Sequence, residues 1–325
     1  LTGGLLAKLE TPEKLAQVTA MGYEPVYVCG DNNYYGRWYL LKEKQLPKAL
    51  NKSAAIRNFA ALKITAIENI EGRLLGGNFT LPNDTCVARQ WPMFKMRVWE
   101  VMDTYRTKID KDAVLVNIQD TGIPMTYYPS IGWRLSHPDL MDTTRILPDP
   151  IVRLGFAQND LNAHGTHIAG IIGATMNNRE GICGLNPFVK ILITKVAHDN
   201  GGVSLTAVLN ATSANRDSAL ARKQNLVINW SFGTDTAVKP YLPIEELIAE
   251  TEQKAELTGI KVLFVCGAGN NNVDTTLYYP AGCSRVGQLT GHGNGYASVI
   301  SVGMLDSLGN RGGGAWGENV DIFAP

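Results

Sequence analysis

The sequence predicts an α/β fold for its larger part, a doubly wound and mostly parallel sheet, preceded by a small α+β module. Three observations carry this. From Ala113 to Val302 short apolar runs alternate with stretches of helical periodicity, the order that builds strand–helix–strand units. The run Ala113–Ile118 is almost continuously apolar, as expected of a strand covered on both faces. Turn formers crowd residues 77–92, in Gly77-Asn78, Leu81-Pro82-Asn83-Asp84 and Trp91-Pro92, and divide the chain into domains 1–80 and 81–325.

In the first domain, Thr11-Pro12-Glu13 starts a helix with a capping hydroxyl, a proline in the first turn and an acid at the positive end, and Gly22 stops it. Val26–Cys29 and Trp38–Leu41 read as strands around a turn at Gly30-Asp31-Asn32-Asn33. A second helix is expected after Ser53, with Ile56, Phe59 and Ala60 on one face, then a strand in Lys63–Ile70. The order strand-helix-strand-strand-helix-strand lets both helices pack on one sheet face.

In the second domain, His164–Met176 carries Gly165, Ala169, Gly170, Gly173 and Ala174, small residues that allow a helix to pack closely. Phe188–Val196, Asn225–Asn229, Lys261–Val265 and Ala297–Val302 read as strands, and Leu205–Arg222 as a helix. Ile244–Leu257 is amphipathic: Ile244, Leu247, Ile248 and Leu257 form the inner face while Glu245, Glu246, Glu250 and Glu252 face out. Sheets of this kind bind ligands beyond the carboxyl ends of their strands. The polar motifs fall there.

Thirty basic residues balance thirty acidic ones, so charge favours neither nucleic acid nor an anionic membrane as partner. No apolar run reaches the roughly 20 residues of a membrane span. Five cysteines, Cys29, Cys86, Cys183, Cys266 and Cys283, lack metal-ligand spacing, and buried thiols are the expectation. Tripeptides at Asn51, Asn78, Asn83 and Asn210 fit the glycosylation pattern and lean towards a secretory route.

Asp120-Thr121-Gly122 follows a strand, which puts a carboxylate at the strand's end. His164-Gly165-Thr166-His167 opens a helix 44 residues later. Histidines three apart with no intervening Glu do not match the helical zinc pair; His164 poised at the helix start and His167 buried in its body fit better. Asn270 ends Gly267-Ala268-Gly269-Asn270 after another strand, where its amide is placed to donate to a developing oxyanion.

Asp-Thr-Gly, His-Gly-Thr-His, Asn-Trp-Ser-Phe-Gly and Ala-Gly-Asn in this order resemble the subtilisin-like serine proteases. Ser136-His137-Pro138-Asp139-Leu140, Tyr279-Pro280-Ala281 and Val320-Asp321-Ile322-Phe323-Ala324-Pro325 extend the likeness over about residues 84–325. The resemblance implies that Asp120 polarises His164, that His164 takes the proton of a serine, and that Asn270 stabilises the oxyanion. It implies that Ser231, Phe232 and Gly233 bind an extended polypeptide substrate by strand addition, with Gly201, Gly202 and Val203 on its other side. Gly267, Ala268, Gly269 and Tyr278 would line the first specificity pocket, and the Tyr278 phenol predicts a preference for small side chains. Calcium is the one cofactor implied, structural and held by Asp139, Asn178 and the carbonyls of Glu180 and Ile182. The first domain resembles the propeptide of such proteases, foldase and inhibitor in one.

The family's serine lies shortly after the Ala-Pro found here at Ala324-Pro325, and no serine of this sequence stands in that context. Three arrangements are compatible: a longer active zymogen, which is the expectation; a second chain that completes the core; or an inactive pseudoprotease that serves as a binding or structural subunit. Segments Pro124–Arg134 and Ser284–Asn294 are insertions relative to the family pattern.

Overall fold

The computed structural model describes residues 5–9, 11–29, 37–43, 65–68, 81–105, 110, 112–150, 159–234, 242–270, 279–284, 295–311, 313–316 and 320–325. The chain divides into two compact units, Leu1–Thr104 and Tyr105–Pro325.

The first unit begins with strand β1 (Leu5–Leu9), helix α1 (Pro12–Ala20) and strands β2 (Tyr23–Cys29), β3 (Arg37–Glu43) and β4 (Thr65–Glu68). All pairings are antiparallel and the order is β2-β3-β1-β4. The start of α1 follows its sequence signal: the Thr11 side chain accepts from Lys14 N at 3.4 Å, with Pro12 in the first turn. The expected turn at residues 30–33 and the helix after Ser53 lie outside the described residues. The stretch read as a linker holds the start of helix α2 (Trp91–Lys95), with Pro92 in its first turn, and α3 (Val98–Tyr105) follows. Proline there begins a helix, where its missing N–H costs nothing.

The second unit contains β5 (Val114–Asp120), the hairpin β6 (Met125–Tyr128) and β7 (Gly132–Leu135), β8 (Ile146–Pro148), α4 (His164–Gly173), β9 (Lys190–Lys195), α5 (Leu205–Ala221), β10 (Asn225–Trp230), α6 (Leu242–Thr258), β11 (Val262–Gly267), β12 (Val299–Met304) and β13 (Ile322–Ala324). Seven of these strands form one sheet in the order β13-β12-β11-β10-β5-β9-β8, and every pairing is parallel. This is the doubly wound α/β sheet. Strand order reverses around β5, whose neighbours β9 and β10 come from opposite directions, so the crevice such sheets offer to ligands opens beyond Asp120.

One face of the sheet packs Leu226, Ile228, Trp230 and Phe264 against Ala207, Val208, Ile244 and Ile248 of α5 and α6. On the other, Ile118, Ile191 and Ile193 pack against Ala169 of α4. Between β5 and α5 the core is polar. Gln119 Nε2 donates to Asn117 Oδ1 (2.8 Å) and Thr212 Oγ1 (2.9 Å), Asn215 Nδ2 donates to Asn117 Oδ1 (3.1 Å), and Trp230 Nε1 donates to Gln119 Oε1 (2.9 Å). Buried polar groups cost little once they satisfy one another, and their directionality fixes how α5 sits on β5.

On the α4 side of β10, β11 and β12, Val227, Leu263, Val265, Ile300 and Val302 are only partly buried. These strand-centre side chains alternate with the fully buried row on the opposite face.

Two expectations for α6 need correction. Glu245 is buried at 4% exposure, and Leu257 is 80% exposed. Residue 245 falls next to Ile244 on the packed side, whereas Leu257, at about 3.6 residues per turn, comes round to the side of the helix opposite Ile244, Ile248 and Ala255. His167 is exposed on α4, not buried in its body, because the packed side of that helix is made by Gly165, Ala169 and Gly173. The insertion Pro124–Arg134 forms most of the β6–β7 hairpin. Cys183, Cys266 and Cys283 are buried, as expected of the thiols, whereas Cys86 is only half-buried; burial pushes Cys266 up and Cys283 up to about 12.

Candidate active site

The last residue of β5, Asp120, is 3% exposed. Two backbone amides just past the end of β9, those of Val196 and Ala197, donate to its carbonyl at 2.9 and 3.2 Å. Its Oδ1 accepts from Thr121 N at 2.7 Å and faces His164 Nδ1 at 2.7 Å. The two side chains named from the sequence are thus in hydrogen-bond contact. Because Nδ1 is engaged, Nε2 is the ring nitrogen left for a substrate proton.

Close approach of α4 to β5 makes this contact possible. A Cβ on Gly165 would lie 2.5 Å from Gly122 O and 3.2 Å from Asp120 Cβ, so only glycine fits beside His164. In place of a side chain, Gly165 N donates to Thr121 Oγ1 at 2.9 Å. Below, the buried Lys195 ammonium donates to Thr121 O and Asp199 Oδ1, both at 2.6 Å, and Asn162 Nδ2 donates to Asp199 O at 2.8 Å. The segments carrying Asp120 and His164 are thereby tied to the loop that leads to Gly201, Gly202 and Val203.

Asp120 Oδ2 is buried and has no hydrogen-bond partner among the described residues. An underbonded carboxylate oxygen rewards positive charge next to it. The His164 pKa is accordingly raised: the Asp120 hydrogen bond outweighs desolvation, and the charges of Asp120 and Asp160 add to it. The sign has two consequences. A raised folded-state pKa gives stability that is complete below the ordinary histidine value and is lost as pH rises through the folded value. A general base must be neutral, so base catalysis appears as pH rises through the same window. We expect activity to increase and melting temperature to decrease together across it, measured by kcat/KM and thermal melts on the same samples; parallel changes would contradict the assignment.

Asp120 and His164 open into a cleft of about 490 Å³ whose lining includes Gly201, Val203, Ser231, Phe232, Gly233, Leu205, Val208, Ile244 and Tyr279. The two proposed substrate-flanking segments therefore face one cavity. A bridge between Thr234 and Tyr279, 3.1 Å in both directions, fixes the Tyr279-Pro280 segment beside Ser231–Gly233. Burial pushes the Tyr279 phenol up to about 12, so it stays neutral. Gly267 ends β11 and Ala268, Gly269 and Asn270 follow it; a Cβ on Gly267 would lie 3.9 Å from Ser231 Cα, and Asn270 is exposed. Tyr278 lies outside the described residues.

The loop expected to hold calcium closes on the Asp139 carboxylate: Asn178 Nδ2 donates to Oδ1 at 2.9 Å and Ile182 N to Oδ2 at 2.8 Å. Glu180 N donates to Asn178 Oδ1 at 2.9 Å. All four positions gather, and the residue types suit a hard cation, but the contacts made are N–H donations. An ion at Asp139 needs the Asn178 amide turned over and the Ile182 N–H displaced. Among the described residues no group of three or more His, Cys, Asp or Glu could hold a metal ion.

Sequence reasoning did not single out Asp160, Asn162, Lys195 or the apolar lining Leu205, Val208 and Ile244. Asp160 had a signal: an acid in the short polar run before a helix is a capping candidate.

A parallel sheet with a carboxylate–imidazole couple at its switch point defines the class, and sequence comparison gives the family. The profile of the Subtilase family matches residues 111–325, and the chain belongs to that family of serine proteases. It is 25% identical over 344 residues to the thermophilic serine proteinase of Bacillus sp. (strain AK1), covering 98% of this chain and 74% of that one. It is 34% identical over 167 residues to the minor extracellular protease Epr of Bacillus subtilis (strain 168), covering 51% of this chain and 22% of that protein's length. Among solved structures it is similar to a cold adapted subtilisin-like serine proteinase, with a TM-score of 0.47 at 22% identity, over 67% of this chain and 64% of that one. No described helix is long and apolar enough to cross a membrane.

Proposed function

We propose that the protein is a serine endopeptidase that hydrolyses peptide bonds through a triad of Asp120, His164 and a serine supplied by polypeptide beyond Pro325. The 2.7 Å contact between His164 Nδ1 and Asp120 Oδ1, at the mouth of a cleft, carries this reading. His164 Nε2 takes the serine proton as the oxygen attacks the carbonyl, and Asp120 stabilises the imidazolium. The proton then passes to the leaving amine, and water repeats the cycle on the acyl-enzyme. Asn270 supplies the donor to the oxyanion, and the backbone of Ser231–Gly233 pairs with the extended substrate.

The partly covered apolar row on β10–β12 also supports the proposal, since a helix carrying the nucleophile would bury it. The N-terminal unit, a four-stranded antiparallel sheet with a helix, preceding the catalytic unit in sequence, is read as foldase and inhibitor. Secretion is proposed from the glycosylation tripeptides and from similarity to a protease named as extracellular.

Treatment of the native, full-length protein with a fluorophosphonate tests the activity. Covalent labelling of one serine beyond Pro325 is expected; no labelling would assign the protein to the pseudoprotease alternative. Calcium at Asp139 remains a proposal for the family loop, and its test is a melting temperature that rises with calcium and falls with chelator. An unchanged melting temperature rejects it.

A further inference from the structure

Asp160 lies four residues before His164 and is 8% exposed. Its Oδ1 accepts the backbone N–H of Asn162 at 3.0 Å and of Ala163 at 2.9 Å. Its Oδ2 accepts the Thr166 N–H at 2.9 Å and the Thr166 hydroxyl at 2.5 Å. One buried group therefore holds the residue before His164 and the first turn of α4, whose Gly165 N–H in turn reaches Thr121 Oγ1 next to Asp120.

This arrangement matters because Ala163 has φ 77° and ψ −6°, a left-handed conformation that alanine resists. The side chain of Ala163 offers no cap to α4. The strained turn persists because Asp160 binds both the Ala163 N–H and, beyond it, the Thr166 N–H and hydroxyl.

We propose that Asp160 is a positioning residue for His164: it clamps the strained turn at Ala163 to the first turn of α4, and so fixes the imidazole against Asp120. The proposal rests on the reading of Asp120 and His164 as the catalytic couple. Asp160 stays ionised: burial would raise its carboxyl, but the hydrogen bonds from Thr166 and Ala163 hold it below the usual value. Around His164 the charged groups are Asp120 from β5, Asp160 from the turn, Lys195 and Asp199 from β9 and its loop, and the exposed His167 farther along α4. Of these, Asp120 and Asp160 act on its protonation.

The test compares the full chain with Asp160→Asn and Asp120→Asn by proton NMR, following the His164 titration midpoint and exchange of its Nδ1 proton. Asparagine caps helices as well as aspartate, so D160N is expected to fold. Its His164 midpoint should fall and its Nδ1 proton should exchange faster. A lowered melting temperature with midpoint and exchange unchanged would reduce Asp160 to a structural cap and overturn the proposal. In D120N the midpoint must also fall; a failure there would overturn the catalytic couple and not the clamp. Should D160N not fold, Thr166→Val removes the 2.5 Å hydroxyl contact and keeps the charge. Faster Nδ1 exchange is then expected, and exchange equal to wild type rejects the clamp.

Discussion

Replacing His164 with alanine is expected to lower kcat of the full-length protease by about 10⁶-fold, the loss that the same change causes in a related subtilisin. KM should change little. The size of the effect follows from the geometry. With Nδ1 held by Asp120 at 2.7 Å, the ring offers a single basic nitrogen in a fixed orientation, and among the described residues no other imidazole lines the cleft. Asp120→Asn should cost less, about 10⁴-fold, as it does in an unrelated protease built on the same triad. Asparagine keeps the shape of the contact and favours the wrong tautomer. Steady-state kinetics on a chromogenic peptide check both. A loss below about tenfold in either variant, measured against these triad values, would remove that residue from the proposed role.

The second large effect is expected from a methyl group. Gly165→Ala places a Cβ 2.5 Å from Gly122 O and 3.0 Å from Gly122 N, backbone atoms that cannot swing aside. Helix α4 must therefore move away from β5 and take His164 with it. Overpacking of this kind costs roughly 1–3 kcal/mol of stability. A displacement of about 1 Å between catalytic groups lowers the rate by about 10²-fold. Gly170→Ala is the control on the same helix: its Cβ would meet only Ile182 Cδ1 at 3.6 Å, an ordinary contact. That variant should melt at or slightly above the wild-type temperature, since alanine restricts the unfolded chain. Equal behaviour of the two variants in denaturant titration and assay would show that the helix–strand approach is not what aligns the pair.

Much of the catalytic unit was legible in the sequence because its strands are short, apolar and closely punctuated. Asp120 and His164 could be placed because each stands at the end of a recognisable element, and element ends are where such sheets gather ligands. Other features were hidden for physical reasons. Asn117 and Gln119 sit in a buried strand, yet they are satisfied by Thr194, Thr212 and Asn215 from elements 75 or more residues away. No local pattern announces such partners. Residue type puts Leu257 inside α6 and Glu245 outside; at about 3.6 residues per turn Leu257 falls opposite Ile244 and Ile248, and Glu245 is buried beside Ile244. The helices at Trp91–Lys95 and Val98–Tyr105 were obscured by a proline that serves as a first-turn residue. Asp160 was overlooked because its role is to hold backbone, which a search for nucleophiles, bases and oxyanion donors does not seek.

The pairing of one carboxylate with one imidazole is tested most directly by the low-field proton spectrum of the folded protein. A resonance from the His164 Nδ1 proton is predicted well downfield of the amides, titrating above the ordinary histidine value and vanishing in Asp120→Asn. A spectrum without that signal, with His164 titrating like an exposed histidine, would contradict the account.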